Sequence, residues 1–527
     1  MTRAARCGLL AAALGLLPYA AMLLRAPGLT WDEAYYYPTF LDVRGWVVML
    51  LQDPGAALSG AGIRAGWERI NELPPLLKWL GALALAGDEG SPATLWRLRL
   101  LPAACFAATL WLLWATARRW LGAERALLAP ALYAAHPVLF GHAQLAASET
   151  PMAMLVALAL WLGTGGAYGR RALAVAAVLG LALATKVNGL VLLVAFAAWT
   201  LAAPALSRRS PGAPRGSDLL TVSMIVLLPP LLAFALWPWM WHGTAARLAE
   251  YRDFAFAHAH YTVWFLWERR GLGGEPLTPL YPWTMLAATA PVWWLAAVAG
   301  GIGLRLRRHL GRRRIDRADL LLLLAAAGPM AAASLPGTPR YDGIRLFLPA
   351  FAPAVLLAAR GLGPWLGGLA QARRRVGAGL LAAALAANAL PGHLNPFPLS
   401  FHNLPARALG VRDGEFAFER TFWGDALDRE VLDSLNESVP PGARVKTLAL
   451  QGDAFAILQS WGILRTDIVF DGPPPYDAHL VQDRKGFWGN SEWLIAGRRE
   501  PLAAWHRSGF ERAPLVLLFD GRPPGAD

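Results

Sequence analysis

The stretch Trp96–Gly122, WRLRLLPAACFAATLWLLWATARRWLG, decides how the rest of the chain is read. From Leu100 to Ala117 no side chain is charged, which is enough helix to cross a hydrocarbon core of about 30 Å. The run ends on Arg118 and Arg119, the kind of basic flank that stays on the cytoplasmic side of a membrane. The same pattern recurs outward in both directions. The chain has 527 residues, of which 56% are hydrophobic and only 16% charged, too few charges to cover a soluble protein of this length. Hydropathy places spans at 8–24, 97–117, 126–141, 150–166, 171–185, 187–205, 219–238, 284–304, 319–335, 345–359 and 377–391, about eleven in all. The first residues have the basic flank and apolar core of a signal peptide. Arg25 and Pro27 stand where a small-residue cleavage site belongs, so the segment is read as a retained first span.

The arginines set the orientation. Arg3 and Arg6, Arg118–Arg125, Arg170–Arg171, SRRSPGAPRGS, RLRRHLGRRRIDR and QARRRV fall in every second loop. Together they hold roughly twenty arginines against about four acids, so these loops and the N-terminus are expected in the cytoplasm. The formal net charge of +13 is therefore a topology signal, and the dispersal of that charge excludes a nucleic-acid-binding face. Cys7 and Cys105 both lie in apolar runs and give no disulfide framework.

The opposite set of loops carries the unusual residues. Asp32 and Glu33 open a long first outer loop (25–96) in GLTWDEAYYYPTF, beside Tyr35 and Tyr36. His142 and Glu149 lie in HPVLFGHAQLAASETP, Lys186 in TKVNG, and Arg340, Asp342 and Arg345 in PGTPRYDGIR. A carboxylate at a bilayer edge is solvated or used, and a partly buried one suits a general base. A guanidinium opening an apolar span on the outer side, as Arg345 does, suits a phosphate at headgroup depth; snorkelling is the plainer alternative. Glu149 also reads as an ordinary helix-start acid, the HAH at 258–260 as a weak metal signal, and Trp237, Trp239 and Trp241 as an interfacial aromatic belt. No phosphate-binding loop or dinucleotide fingerprint occurs. Beyond residue 391 the long apolar runs stop. Strand-like ARVKTLAL, DIVF, AHLVQD and PLVLLFDG alternate with helix-like DREVLDSLNES, DAFAILQSWG and REPLAAWHRSG, predicting a small extracytoplasmic α/β domain at 392–527 after a membrane domain at 1–391.

Several stretches, in order, carry a family resemblance: LTWDEAYY, ELPPLLKWLGAL, WRLRLLPAACFAATLWLLWATARRWLG, LFGHAQLAASETPMAMLVALALWL, GLALATKVNGLVLLV, WPWMWHGTAARLAEY, RYDGIRLFLPAFAP and FERTFWGDALDREVL. The series resembles the GT-C glycosyltransferases, and most of all glycosyltransferase family 39, which includes protein O-mannosyltransferases and bacterial aminoarabinose transferases. The resemblance implies an α-helical polytopic membrane enzyme, a hexosyl- or pentosyltransferase, that moves a sugar with inversion from a polyprenyl phosphate to an acceptor hydroxyl on a lipid, glycan or protein. It implies Asp32 as base, with Glu33 beside it and Glu149 in the place of a second family acid that is usually Asp; it requires no cofactor, with a divalent metal at Asp32/Glu149 as the alternative. Arg345, Arg340 and Lys186 would neutralise the donor phosphate. The family's His/Lys-Pro-Pro-Leu motif appears here as Leu73-Pro74-Pro75-Leu76, without its polar first residue, which leaves Lys78 or Glu72 to substitute. Tyr35, Tyr36, His142 and Asp342 are candidate substrate contacts. The Arg-, Ala- and Gly-rich composition points to a bacterial inner membrane and an undecaprenyl donor. A transporter or a catalytically inactive scaffold are the competing readings; a transporter would favour paired repeats and a midplane site, and no matching halves occur.

Overall fold

The computed structural model describes residues 2–25, 28–85, 90–165, 170–207, 219–257, 261–271, 277–312, 315–368, 394–395, 397–412, 414–506 and 514–521. The expected span at 377–391, QARRRV, most of SRRSPGAPRGS and the histidines at 258–260 lie outside the described residues. Each remaining expected span coincides with helix. Arg3–Leu24, Pro92–Leu121, Arg317–Ser334 and Arg345–Gly368 are long and apolar enough to cross a bilayer alone. The others depart from a set of straight spans. Glu149–Thr164, Gly189–Ala202 and Leu220–Ala235 are shorter apolar helices, and Tyr281–Thr289 meets Val292–Arg312 at a bend of 119°. Proline is the local cause: Pro291 sits in that bend, and Pro137 divides the 126–141 segment into Leu128–Ala134 and Pro137–His142.

Two of these helices pack backbone to backbone. A Cβ added at Gly361 would lie 1.8 Å from the Gly301 carbonyl oxygen, and one added at Gly301 would lie 2.6 Å from that of Ala358. Small residues let membrane helices approach in this way. Gly361→Val is therefore expected to lower the melting temperature of the detergent-solubilised protein, by the equivalent of about 1–3 kcal/mol for an overpacked contact. An unchanged melt would mean that the helices do not meet there.

The first outer loop is largely helical. Thr30 caps the helix Trp31–Gln52: its backbone N–H and hydroxyl both donate to Glu33 Oε2, at 3.1 and 2.8 Å. That helix buries Trp46 against Trp67, with ring centres 5.6 Å apart, and the same cluster takes in Trp237 and Trp239. The expected aromatic belt is thus corrected for these two residues, which are interior; Arg247 covers Trp239 at 4.7 Å.

The C-terminal region holds a five-stranded sheet in the order Val469–Phe470, Arg444–Leu448, Ala478–Gln482, Pro514–Asp520, Ala503–His506. The first three strands run parallel and the last two pair antiparallel. Within REPLAAWHRSG the described residues 499–506 are not helix: Ala503–His506 pairs along Pro514–Asp520, and tertiary pairing overrides its local helix preference. The helix in this part of the chain comes one segment earlier, at Asn490–Arg498. The sheet region is not isolated from the first outer helix. Tyr36, Tyr37 and Phe40 share one apolar core with Phe455, Leu458 and Trp461, the Tyr37 and Trp461 rings meeting edge to face at 5.5 Å. Trp31 N–H donates to the Trp423 carbonyl at 2.6 Å, and Gly28 passes so close to Leu427 that a Cβ would lie 1.9 Å from its oxygen.

Candidate active site

These contacts enclose a cavity of about 850 Å³. Its lining includes the apolar Leu190, Val191, Leu248, Phe254, Ala332 and Leu346. It also carries Asp32, Lys186, Asp342, Arg345 and Arg484, with the rings of Trp31, Tyr36, Tyr261, Tyr341 and Trp423. Arg345 stands at the centre. Its guanidinium donates to Asp32 Oδ2, to Glu149 Oε1 at 2.7 Å and to Asp342 Oδ2 at 3.1 Å, and lies 4.3 Å from the Trp423 ring centre. Lys186 Nζ donates to the same Glu149 oxygen at 2.5 Å. The Tyr36 phenol lies beside Asp32. Asp342 sits at φ 53°, a left-handed conformation that an L-residue holds only when its surroundings fix it, and it takes a second guanidinium from Arg484 at 2.6 Å.

Three carboxylates and three cations therefore interlock from segments distant in sequence. Asp32 is buried in the first turn of its helix, and burial pushes its pKa up to about 6; the Arg345 charge opposes that rise, while Glu149 and Asp342 add to it.

Of the residues singled out from sequence, Asp32, Tyr35, Tyr36, Lys186, Asp342 and Arg345 line the cavity, and Glu149 bonds two of the cations on its wall. Four are placed elsewhere. Glu33 is fully enclosed: Arg99 clamps both its oxygens at 2.7 Å, and the Ala146 N–H adds 2.9 Å. Burial alone would raise its pKa, but the Arg99 charge and these hydrogen bonds hold it below the usual carboxylate value. It braces the site rather than facing it. Lys78 is buried beneath the outer loop, donating to the Arg69 carbonyl at 3.1 Å, so it does not replace the missing polar residue of the Pro-Pro motif; Glu72 does reach the cavity, held by the Tyr35 hydroxyl at 3.0 Å. Arg340 spends its donors on the carbonyls of Leu277, Ala333 and Leu335. His142 packs its ring edge-on against Trp423 at 5.4 Å.

The Asp32/Glu149 pair does not fit a divalent ion. The Arg345 guanidinium lies between the two carboxylates, and Lys186 bonds the second, so an added dication would meet two cations at contact distance. Among the described residues, three metal-capable side chains converge instead at His309, Asp316 and Asp319, where Arg305 and Arg360 already pair with the carboxylates.

Sequence reading missed Arg484, Gln451, Trp423 and Phe487. Arg484 and Gln451 follow the carboxyl ends of two parallel strands, where open α/β sheets present ligand-binding residues. That signal was available once the strands were assigned.

The protein has an α-helical part, with helices long and apolar enough to cross a membrane, and a small C-terminal sheet region. The fold is similar over nearly its whole length to ArnT from Cupriavidus metallidurans. Against the apo state the TM-score is 0.52 at 13% identity, with 99% of each chain covered. Against the structure bound to undecaprenyl phosphate it is 0.50 at 14% identity, with 98% of each covered. Residues 72–234 match the family described as dolichyl-phosphate-mannose-protein mannosyltransferase. No curated protein matches the chain by sequence.

Proposed function

We propose that this protein is an integral-membrane glycosyltransferase that moves a sugar, with inversion, from a polyprenyl-phosphate donor to an acceptor hydroxyl on the extracytoplasmic face of a bacterial inner membrane. The observation that carries the reading is the pairing of Asp32 with Arg345 on the wall of a cavity whose lining combines aliphatic, aromatic and charged side chains. A lipid-linked sugar phosphate has the matching anatomy. Undecaprenyl phosphate is bound by ArnT of like fold, and the family matched over residues 72–234 is named for a dolichyl-phosphate donor. The arginine-rich loops support a cytoplasmic N-terminus, with residues 392–527 forming an outer domain.

In the proposed reaction the apolar lining residues hold the prenyl chain, and Arg345 and Lys186 face the phosphate. Asp32 takes the proton of the acceptor hydroxyl as its oxygen attacks the anomeric carbon. The bond from that carbon to the phosphate oxygen breaks with its electron pair on the phosphate, and polyprenyl phosphate leaves. One displacement with the carboxylate acting as base, not nucleophile, inverts the anomeric centre. Arg345 stabilises the charge that grows on the leaving oxygen, a contribution commonly worth about 3 kcal/mol per donor. Glu149 holds Arg345 and Lys186 in register.

The test is turnover by purified protein in nanodiscs, given a panel of short-chain polyprenyl-phosphate sugars and acceptors, with release of polyprenyl phosphate followed by mass spectrometry. Turnover of one donor supports the reading. Binding of the lipid phosphate with sugar transfer absent from every pair would favour the scaffold, and transbilayer movement of the donor without cleavage the transporter. Because Asp32 must be ionised to act, kcat/KM is expected to be flat above its pKa of about 6 and to fall about tenfold per pH unit below it. A profile flat down to pH 4 would remove Asp32 as the base.

A further inference from the structure

The C-terminal region contributes more than a cover. Arg484 is 4% exposed and lies on the cavity wall. One terminal nitrogen donates to Asp342 at 2.6 Å and the other to the Phe422 carbonyl at 2.8 Å, while Nε is buried with no hydrogen-bond partner among the described residues. The guanidinium lies 3.9 Å from the Phe487 ring centre and 5.6 Å from that of Trp31. Tyr261 completes the frame, 6.0 Å from Phe487 and 4.9 Å from Tyr341. All five aromatic and basic side chains line the cavity.

Both terminal nitrogens of Arg484 are already engaged, by Asp342 and by the Phe422 carbonyl. What it retains is one N–H donor framed by aromatic faces. That combination fits a sugar ring, whose C–H face lies on an aromatic ring while a hydroxyl or ring oxygen accepts the hydrogen bond. A buried donor with no partner costs folding energy, and a ligand that meets it recovers the loss. We propose that Arg484, Phe487 and Trp31 form the subsite for the sugar ring of the donor, so that the C-terminal segment selects which sugar is transferred. This rests on the donor reading above.

The test uses the full-length protein in nanodiscs. Affinity is measured for short-chain polyprenyl phosphate alone and for the same lipid phosphate carrying mannose, glucose, galactose or arabinose. Wild type is expected to bind the sugars of this panel with at least a tenfold spread in Kd. Arg484→Lys keeps a cation for Asp342 but removes Nε and the planar stack; Phe487→Ala removes the ring. Both are expected to compress the spread below threefold, leaving the affinity for bare polyprenyl phosphate within threefold of wild type and the melting temperature of Arg484→Lys near wild type. A spread that survives in both variants overturns the proposal, as does no spread in wild type. A parallel loss of affinity for the bare lipid phosphate overturns it too, since it would assign Arg484 to the phosphate or to folding. Failure of wild type to bind polyprenyl phosphate at all would instead defeat the donor reading itself.

Discussion

Asp32→Asn is expected to cut turnover of the lipid-linked donor by about 10²–10⁴-fold, the range for loss of a positioned general base. The substitution is nearly isosteric and leaves Arg345 bonded to Glu149 and Asp342, so the site should keep its shape. Stability should move the other way. The folded-state pKa of Asp32 is raised to about 6 from an ordinary value near 4, mainly by burial. A carboxyl shifted in that direction contributes its full stability below the unfolded pKa and loses it as pH rises through the folded one. At neutral pH the ionised side chain is therefore a net cost, and the neutral amide should melt at the same temperature as wild type or higher. Lost turnover with an equal or raised melting temperature at pH 7.5 is the expected pair of results. Retained turnover would transfer the base role to another group, and a collapsed melt would make Asp32 a structural residue.

Its neighbour should behave in the opposite sense. Glu33→Ala leaves the wholly buried Arg99 without its carboxylate partner and strips acceptors from Thr30 and Ala146. Breaking one half of such a pair costs about 3–5 kcal/mol. The helix that presents Asp32 starts at this cap, so activity should fall with stability rather than apart from it. Thermal unfolding of Glu33→Ala, Arg99→Ala and the double variant checks this: the double change should cost much less than the sum, since it removes both charges together. Additive losses would show that the two residues act independently. Two adjacent acids thus differ by environment alone. One meets a cavity and a shared guanidinium, the other a private guanidinium and two backbone donors.

That difference marks the limit of what the chain discloses. The membrane class follows from apolar run length and the arginine loops, which depend only on local composition. Asp32, Glu149, Lys186 and Arg345 stand out because a charge beside an apolar run is costly wherever the chain folds, and all four meet around one cavity or its wall. Glu33 and Arg340 carry the same signal, yet each is satisfied by partners from other helices or by nearby carbonyls, which no periodicity shows. The bends at Pro137 and Pro291 were readable from proline, whereas the strand at Ala503–His506 exists only because Pro514–Asp520 lies beside it. Arg484 is the strongest case. In sequence it is a basic residue in a soluble-looking segment, and only the sheet's position against the Trp31–Gln52 helix brings it to Asp342.

The core shared by Tyr36, Tyr37 and Phe40 with Phe455 and Trp461 also has a bearing on biogenesis. Its two halves are made far apart in translation, with the membrane helices between them. The first outer helix meets Leu73 and Leu77 soon after it is made, but the part of its apolar face that packs on Phe455 and Trp461 stays uncovered until that segment follows. Contacts so distant in sequence form late, and the exposed face is a site for chaperone capture or misassembly in the interval. Nascent chains stalled before Phe455 should therefore hold their membrane helices but not the pocket, so that competence arrives in a single late event.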